Sequence, residues 1–233
     1  MGGFAARLHA AELMETAECS YESYRACLRD LAQVNVMTLG ARPTLAFLER
    51  LRRGRALPDR PLHIVDIGSG YGDALARIAH WARGAGVAVR LTGVDSHPWS
   101  IRAAREAHPY LPVEWRCCGV FDYDAAPDVV VSALFTHHLD DSAVARFVAW
   151  MEDRAAVGWF VNDLHRHPLP YWAFTALAAA MRWHPFVRHD GPVSIARAFR
   201  PEDWRRIAPD EARLERWFPF RLCVARVKPD ARA

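Results

Sequence analysis

A short apolar run that ends in a glycine-rich turn and opens a helix constrains this chain more than any other feature. Residues 64–73 read IVDIGSGYGD, with glycines at positions 68, 70 and 72. Glycine lets a backbone turn tightly and approach a ligand closely. In an open α/β sheet such a turn lies beyond the carboxyl ends of the strands, where ligands bind. Carboxylates flank it on both sides, Asp66 and Asp73. A poorly solvated Asp66 would repel a pyrophosphate by several kcal/mol at an intermediate dielectric. The spacing is also GxGxG, with Asp73 where a dinucleotide loop places its third glycine. An ammonium or sulfonium group would instead be attracted.

The remainder of the chain supplies the context the turn needs. Residues 11–51 carry apolar side chains at helical spacing, broken into two helices by Gly40 and Pro43. From Pro61 onward strands and helices alternate. Strands are expected at 63–67, 88–94, 113–117, 128–134 and 158–162. Helices are expected at 73–83, 98–107 and 142–152. The first, fourth and fifth strands are nearly continuous apolar runs, as in a parallel sheet covered on both faces. An aromatic-rich helix is expected over 168–185 and another from Pro201. Two last strands, 214–218 and 222–227, lie too close together for a crossover helix and must pair antiparallel at the sheet edge. Asp95 ends the second strand in LTGVDSHP, where a carboxylate accepts from both ribose hydroxyls of an adenosine.

Composition narrows the partners. With 233 residues the chain suffices for one α/β domain and a small additional lobe. A net charge of +3 coexists with a single lysine, Lys228, and the basic clusters LERLRRGR and DWRRI carry acids and no interleaved aromatics. That pattern fits solvated helix faces and argues against nucleic acid as a partner. No apolar stretch approaches the length of a membrane span, and the N-terminus has no signal-peptide pattern, so a cytoplasmic location is expected. The five cysteines form no CxxC pair and suggest reduced thiols, not a disulfide framework.

With its glycine turn, Asp95 and seven-strand order, residues 61–233 resemble the class I S-adenosylmethionine (SAM)-dependent methyltransferases. The resemblance implies a Rossmann-like α/β fold: a seven-stranded sheet, mostly parallel with an antiparallel last strand. An N-terminal helical lid (1–55) would precede a methyltransferase domain (56–233). It implies SAM as cofactor, S-adenosylhomocysteine as product, and cofactor contacts from Asp66, Gly68, Ser69, Gly70, Gly72, Asp95, Ser96 and Phe135. The family's acid after strand three is replaced here by Gly119 and Val120, which leaves Phe121 and Asp122 for the adenine.

The acceptor is read from the loops after strands four and five. SALFTHHLDD replaces the Asn/Asp-Pro-Pro-Tyr segment of adenine-type amino methyltransferases. His137 and His138 lie in this loop; His165 and His167 follow strand five in VNDLHRHPLP. A histidine near neutrality suits removal of a phenol proton. The candidate catalytic residues are His165 or His137, with Asp163 within local reach of His165 to orient it. A metal held by His165, His167, His137 and Asp163 is the alternative use of these side chains, but methyl transfer from a sulfonium needs none. A lid containing Tyr171, Trp172, Phe174, Met181 and Trp183 suits a small aromatic or lipidic acceptor. AQVNVMTLGARPTL, FTHHLDD, VNDLHRH and SIARAFRPEDW are similar to bacterial small-molecule methyltransferases of polyketide, phenolic-lipid or quinone pathways. That similarity implies O-methylation of a hydroxylated ring, with His138, Tyr171, Trp172 and Asn35 toward substrate, in a monomer or homodimer. Methylation at carbon or nitrogen, or SAM binding without methylation, remain open at this level.

Overall fold

A computed structural model describes residues 4–16, 18–54 and 57–229. Seven strands build one sheet: β1 (Leu62–Ile67), β2 (Val89–Asp95), β3 (Val113–Cys117), β4 (Val129–Ala133), β5 (Gly158–Leu164), β6 (Arg213–Trp217) and β7 (Arg221–Val227). Their spatial order is β3-β2-β1-β4-β5-β7-β6. The first five run parallel, and β7 is inserted antiparallel between β5 and β6. Sequence order reverses between β1 and β4, so the glycine turn leaves the sheet at the topological switch point, where such sheets form their ligand crevice.

The buried runs of β1 and β4 need cover on both faces, and the helices supply it. On one face, Phe47, Leu48 and Leu51 of α3 (Arg42–Gly54) and Leu75 and Ile78 of α4 (Asp73–Ala85) pack on Ile64, Leu91, Val129 and Phe160. On the other, Val144, Phe147 and Met151 of α6 (Asp141–Arg154) and Trp204 of α9 (Pro201–Ile207) pack on Val65, Ile67, Val130 and Val161. Phe47 stacks on Phe160 at 4.8 Å between ring centroids.

Only part of the expected N-terminal lid lies over the sheet edge. A four-residue α1 (Leu13–Thr16) leads to α2 (Tyr21–Met37). Near its start, Tyr21, Tyr24 and Leu28 pack on Ala103 of α5 (Pro98–Ala107). Further along, Cys27 and Val34 meet Ala178 and Val187 of the paired helices α7 (Pro168–Ala180) and α8 (Pro185–Arg197). Asn35 then reaches Asp73 and Arg221, at the start of α4 and of β7. Thus α2 crosses the carboxyl edge of the strands. By contrast α3, expected within the lid, belongs to the core of the sheet.

The aromatic helix expected over 168–185 also divides in two. Arg182, at φ 52°, turns the chain after α7. Imidazole His184 then caps α8 by accepting from Phe186 N. Sequence reading missed α8 because Gly191 and Pro192 lie inside it, and both normally interrupt helices. Here the glycine is needed for packing: a Cβ at Gly191 would fall 2.0 Å from the Phe174 ring of α7.

The stacked Phe47–Phe160 pair is fully buried. Phe160→Ala is expected to lower unfolding stability by about 3–5 kcal/mol in urea titration. A loss below about 1 kcal/mol would show that this face is not packed as described.

Candidate active site

The glycine turn is folded by its own backbone. Gly68 N and Ser69 N both donate to Val94 O of β2, at 2.9 and 3.0 Å, and Gly72 N donates to Ser69 O. Gly68, Gly70 and Gly72 all have positive φ (73°, 49° and 80°), which side-chain-bearing residues rarely adopt. At Gly68 a Cβ would strike the Phe135 ring at 2.8 Å, and at Gly72 it would strike Trp115 at 2.5 Å. Around Gly70 the nearest atom to such a Cβ is Gly68 O at 4.0 Å. The middle glycine therefore faces open space, and the outer two are pressed by aromatic rings.

Three carboxylates surround the turn. Asp95 Oδ2 accepts from Gly70 N at 3.0 Å, and Oδ1 accepts from His97 N at 2.9 Å. Each oxygen keeps a lone pair for a further donor. Asp66 is buried, and its Oδ1 has no hydrogen-bond partner among the described residues; Ser69 Oγ is likewise buried and unpartnered. Burial, reinforced by Asp73 and Asp95, pushes the Asp66 carboxyl well above its usual range. A buried acid without a partner calls for a cation or a donor. This cradle fits an amino-acid-bearing adenosine: open backbone at Gly70, an unsatisfied acid beneath it, and a carboxylate at the end of β2.

The other expected cofactor residues are more scattered. Phe135 follows β4, lies over Gly68 and packs edge-on against Phe147. Ser96 is exposed beside Asp95. Phe121 and Asp122 sit on an exposed 3-10 turn, and Arg146 covers the Phe121 ring at 4.4 Å.

The histidines separate into two groups. Asp163 is buried and pairs with His137, not with His165. His137 Nδ1 lies 2.7 Å from Asp163 Oδ1, and Asp163 also accepts from His137 N, the Thr136 hydroxyl and Leu164 N. Burial alone would raise the Asp163 pKa, but the charge and hydrogen bonds of His137, with the Thr136 hydroxyl and Leu164 N, hold it well below the usual carboxylate range. An ionised carboxylate only accepts, so Nδ1 carries a proton, and in the neutral form of the ring Nε2 holds the lone pair. His165 lies past the end of β5, where its N donates to Phe220 O and it bridges to Phe199. Burial there, with Arg216, His167 and Arg200 nearby, lowers its pKa. The expected Asp163–His165 pairing is therefore corrected: β5 turns the Asp163 carboxylate toward the loop after β4. His167 caps α7 by accepting from Leu169 N.

Residues that the sequence did not single out complete the surroundings of His137. Glu12, buried ahead of α1, places Oε1 3.7 Å from His137 Nε2 and accepts from the Ser194 hydroxyl at 2.7 Å. Arg197 Nε donates to His137 O at 3.1 Å, and Arg7 Nη2 donates to Leu139 O at 2.8 Å. His138 Nδ1 lies 2.6 Å from Glu15 Oε1. Against burial, hydrogen bonds from His138 and Arg197 hold Glu15 down at about 2. The expected substrate contacts are less concentrated here. Tyr171 packs edge-on against Phe4, Trp172 is 65% exposed, and Asn35 is engaged with Asp73 and Arg221.

Residues 64–158 match a family described as methyltransferase domain. Over that stretch, which is less than half of its length, the chain is similar to a methyltransferase domain. Its match spans β1 through the start of β5, and so contains the glycine turn, Asp95 and His137. Comparison with curated proteins gives no significant match. Several solved structures share the fold. The CMeT domain of the citrinin polyketide synthase is 14% identical, with a TM-score of 0.59 over 81% of this chain. The chain spans about half of that structure, 52% of its length. Magnesium protoporphyrin IX methyltransferase from Synechocystis PCC 6803, with bound SAH, is 12% identical at TM-score 0.56, covering 93% of this chain and 91% of that one. Human N-acetylserotonin methyltransferase in complex with SAM is 13% identical at TM-score 0.62, covering 90% and 56%.

The raised Asp66 pKa has a definite sign. Above the ordinary 3.8 an unfolded chain ionises this carboxyl while the folded protein keeps it protonated. Asp66 therefore lends stability at low pH that is lost as pH rises through its raised value. A ligand bearing an ammonium group reverses the preference and releases the proton. Titration calorimetry with S-adenosylhomocysteine should show affinity rising as pH climbs above the ordinary carboxylate range, with proton release, and Asp66→Asn should flatten that rise. A pH-independent affinity in the unmodified protein would remove Asp66 from the cofactor site.

Proposed function

We propose that the protein transfers a methyl group from SAM to a hydroxyl of a small aromatic acceptor, with His137 as the general base. One observation carries this reading: a buried imidazole held at Nδ1 by the ionised Asp163, in the loop that follows β4 beside the glycine turn. Among structures of this fold, those named for magnesium protoporphyrin IX and N-acetylserotonin are methyltransferases of small molecules, which supports an acceptor of that size. No described helix is long and apolar enough to cross a membrane.

When bound, SAM supplies a methyl carbon already activated by its sulfonium. Asp66 and the open backbone at Gly70 would hold its amino-acid end, and Asp95 its ribose hydroxyls. The chain's own task is to position the acceptor and remove its proton. Asp163 fixes the tautomer that leaves Nε2 free, and its charge stabilises the imidazolium formed when Nε2 accepts the hydroxyl proton. Arg197 and Arg7 hold the loop by its carbonyls, so the ring cannot drift. Burial of His137 and Glu12 excludes water from the proton-accepting atom. An ionised phenol is also nucleophilic at ring carbon, and NMR of the product locates the methyl.

His137→Ala is expected to lower turnover of a phenolic acceptor by about 10²–10⁴-fold while S-adenosylhomocysteine affinity holds. Full turnover in that variant would exclude His137 as base. Asp95→Ala is expected to abolish cofactor binding in calorimetry, and unchanged affinity would overturn the assignment of the cleft.

A further inference from the structure

Glu12, His137 and His138 are drawn together from two distant parts of the chain. Their ligand-type atoms all lie within 4.8 Å of one another. His137 Nε2 and Glu12 Oε1 stand 3.7 Å apart. Bonds of about 2.0–2.2 Å from imidazole and carboxylate to a tetrahedral zinc put ligand atoms roughly 3.4 Å apart. The cluster is therefore near the size required, and closing it needs only side-chain adjustment.

The groups behind these side chains are the second observation. Metal-binding histidines almost always donate their other ring nitrogen to a carboxylate or carbonyl, which fixes the tautomer and strengthens the ligand. Both histidines here meet that condition: His137 Nδ1 is on Asp163 at 2.7 Å, and His138 Nδ1 is on Glu15 at 2.6 Å. Glu12 is oriented by the Ser194 hydroxyl. Arg197 bonds Glu15 and stands 3.8 Å from Glu12, which leaves the two imidazoles and Glu12 facing one another.

We propose that Glu12, His137 and His138 form a binding site for a divalent metal of the zinc class, adjoining the acceptor side of the cleft. Two imidazoles and one carboxylate select a borderline ion; magnesium and calcium prefer oxygen-rich sites. Among the described residues the cluster offers three ligands, which leaves a fourth position open. Occupancy uses the lone pair of His137 Nε2, the atom that accepts the acceptor proton in the proposed reaction. Metal binding and proton removal therefore exclude each other, and the bound metal is a reversible brake. The site itself rests on side-chain geometry and does not depend on the acceptor proposed above.

The test is calorimetric titration of the chelator-treated full chain with zinc, with cobalt as a spectroscopic probe. One zinc per chain is expected, with the intense visible absorption of tetrahedral cobalt. His138→Ala should weaken zinc by more than about tenfold, and Glu15→Gln by about 10–100-fold. His138 is partly exposed, so its removal leaves the core intact, and a thermal melt confirms folding. No zinc binding, or binding unaffected by His138→Ala, would overturn the site. Zinc that binds as described but leaves methyl transfer unchanged would instead contradict His137 as the base.

Discussion

A buried carboxylate, Asp163, organises the chemical edge of this protein. It sits at the end of β5 and accepts from Thr136, from the backbone and imidazole of His137, and from Leu164. An ionised group this deep persists only when donors surround it. Removing them would leave an uncompensated charge, so the loop after β4 is held where those donors are. The position of His137 follows from that requirement. Arg197 and Arg7 then fasten the carbonyl side of the same loop, and the segment bearing Glu12 closes over the ring.

The cofactor side shows the complementary case. Asp66 is as buried as Asp163, but its Oδ1 lacks a partner, and two further carboxylates crowd it. One acid is satisfied by the protein, and the other keeps an oxygen without a donor among the described residues. The switch point between β1 and β4 brings the two regions together, because the glycine turn and the His137 loop leave neighbouring parallel strands. Phe135, resting on Gly68, is a direct contact between them. α2 lies across the glycine-turn side, from Tyr24 stacked on His97 to Asn35 at the first residue of α4.

Much of this was legible from residue patterns, for physical reasons. Strands buried on both faces write themselves as apolar runs, and β1, β4 and β5 fall where such runs occur. Helix α5, with Pro98 at its start, matches its expected bounds. The glycine turn was legible because few residues tolerate three positive φ values within five positions. Legibility ends where meaning comes from tertiary pairing. Asp163 lies two residues from His165 and 26 from His137, so local reach suggested the wrong partner, and strand geometry decides otherwise. Glu12 and Arg7 lie in no motif, and within SIARAFRPEDW nothing singled out Arg197. They matter because α8 folds back beside the His137 loop, and α8 was hidden by Gly191 and Pro192. Arg166, a buried cation that ties Phe4 O and Ala198 O together, was silent for the same reason.

The account stands on the claim that the cleft beside β1 is built for a cationic adenosine and not for a pyrophosphate. Parallel calorimetric titrations of the unmodified chain with S-adenosylhomocysteine and with NAD+ test it most directly. One S-adenosylhomocysteine per chain and no heat from NAD+ is the expected result. Saturable NAD+ binding with no response to S-adenosylhomocysteine would contradict it.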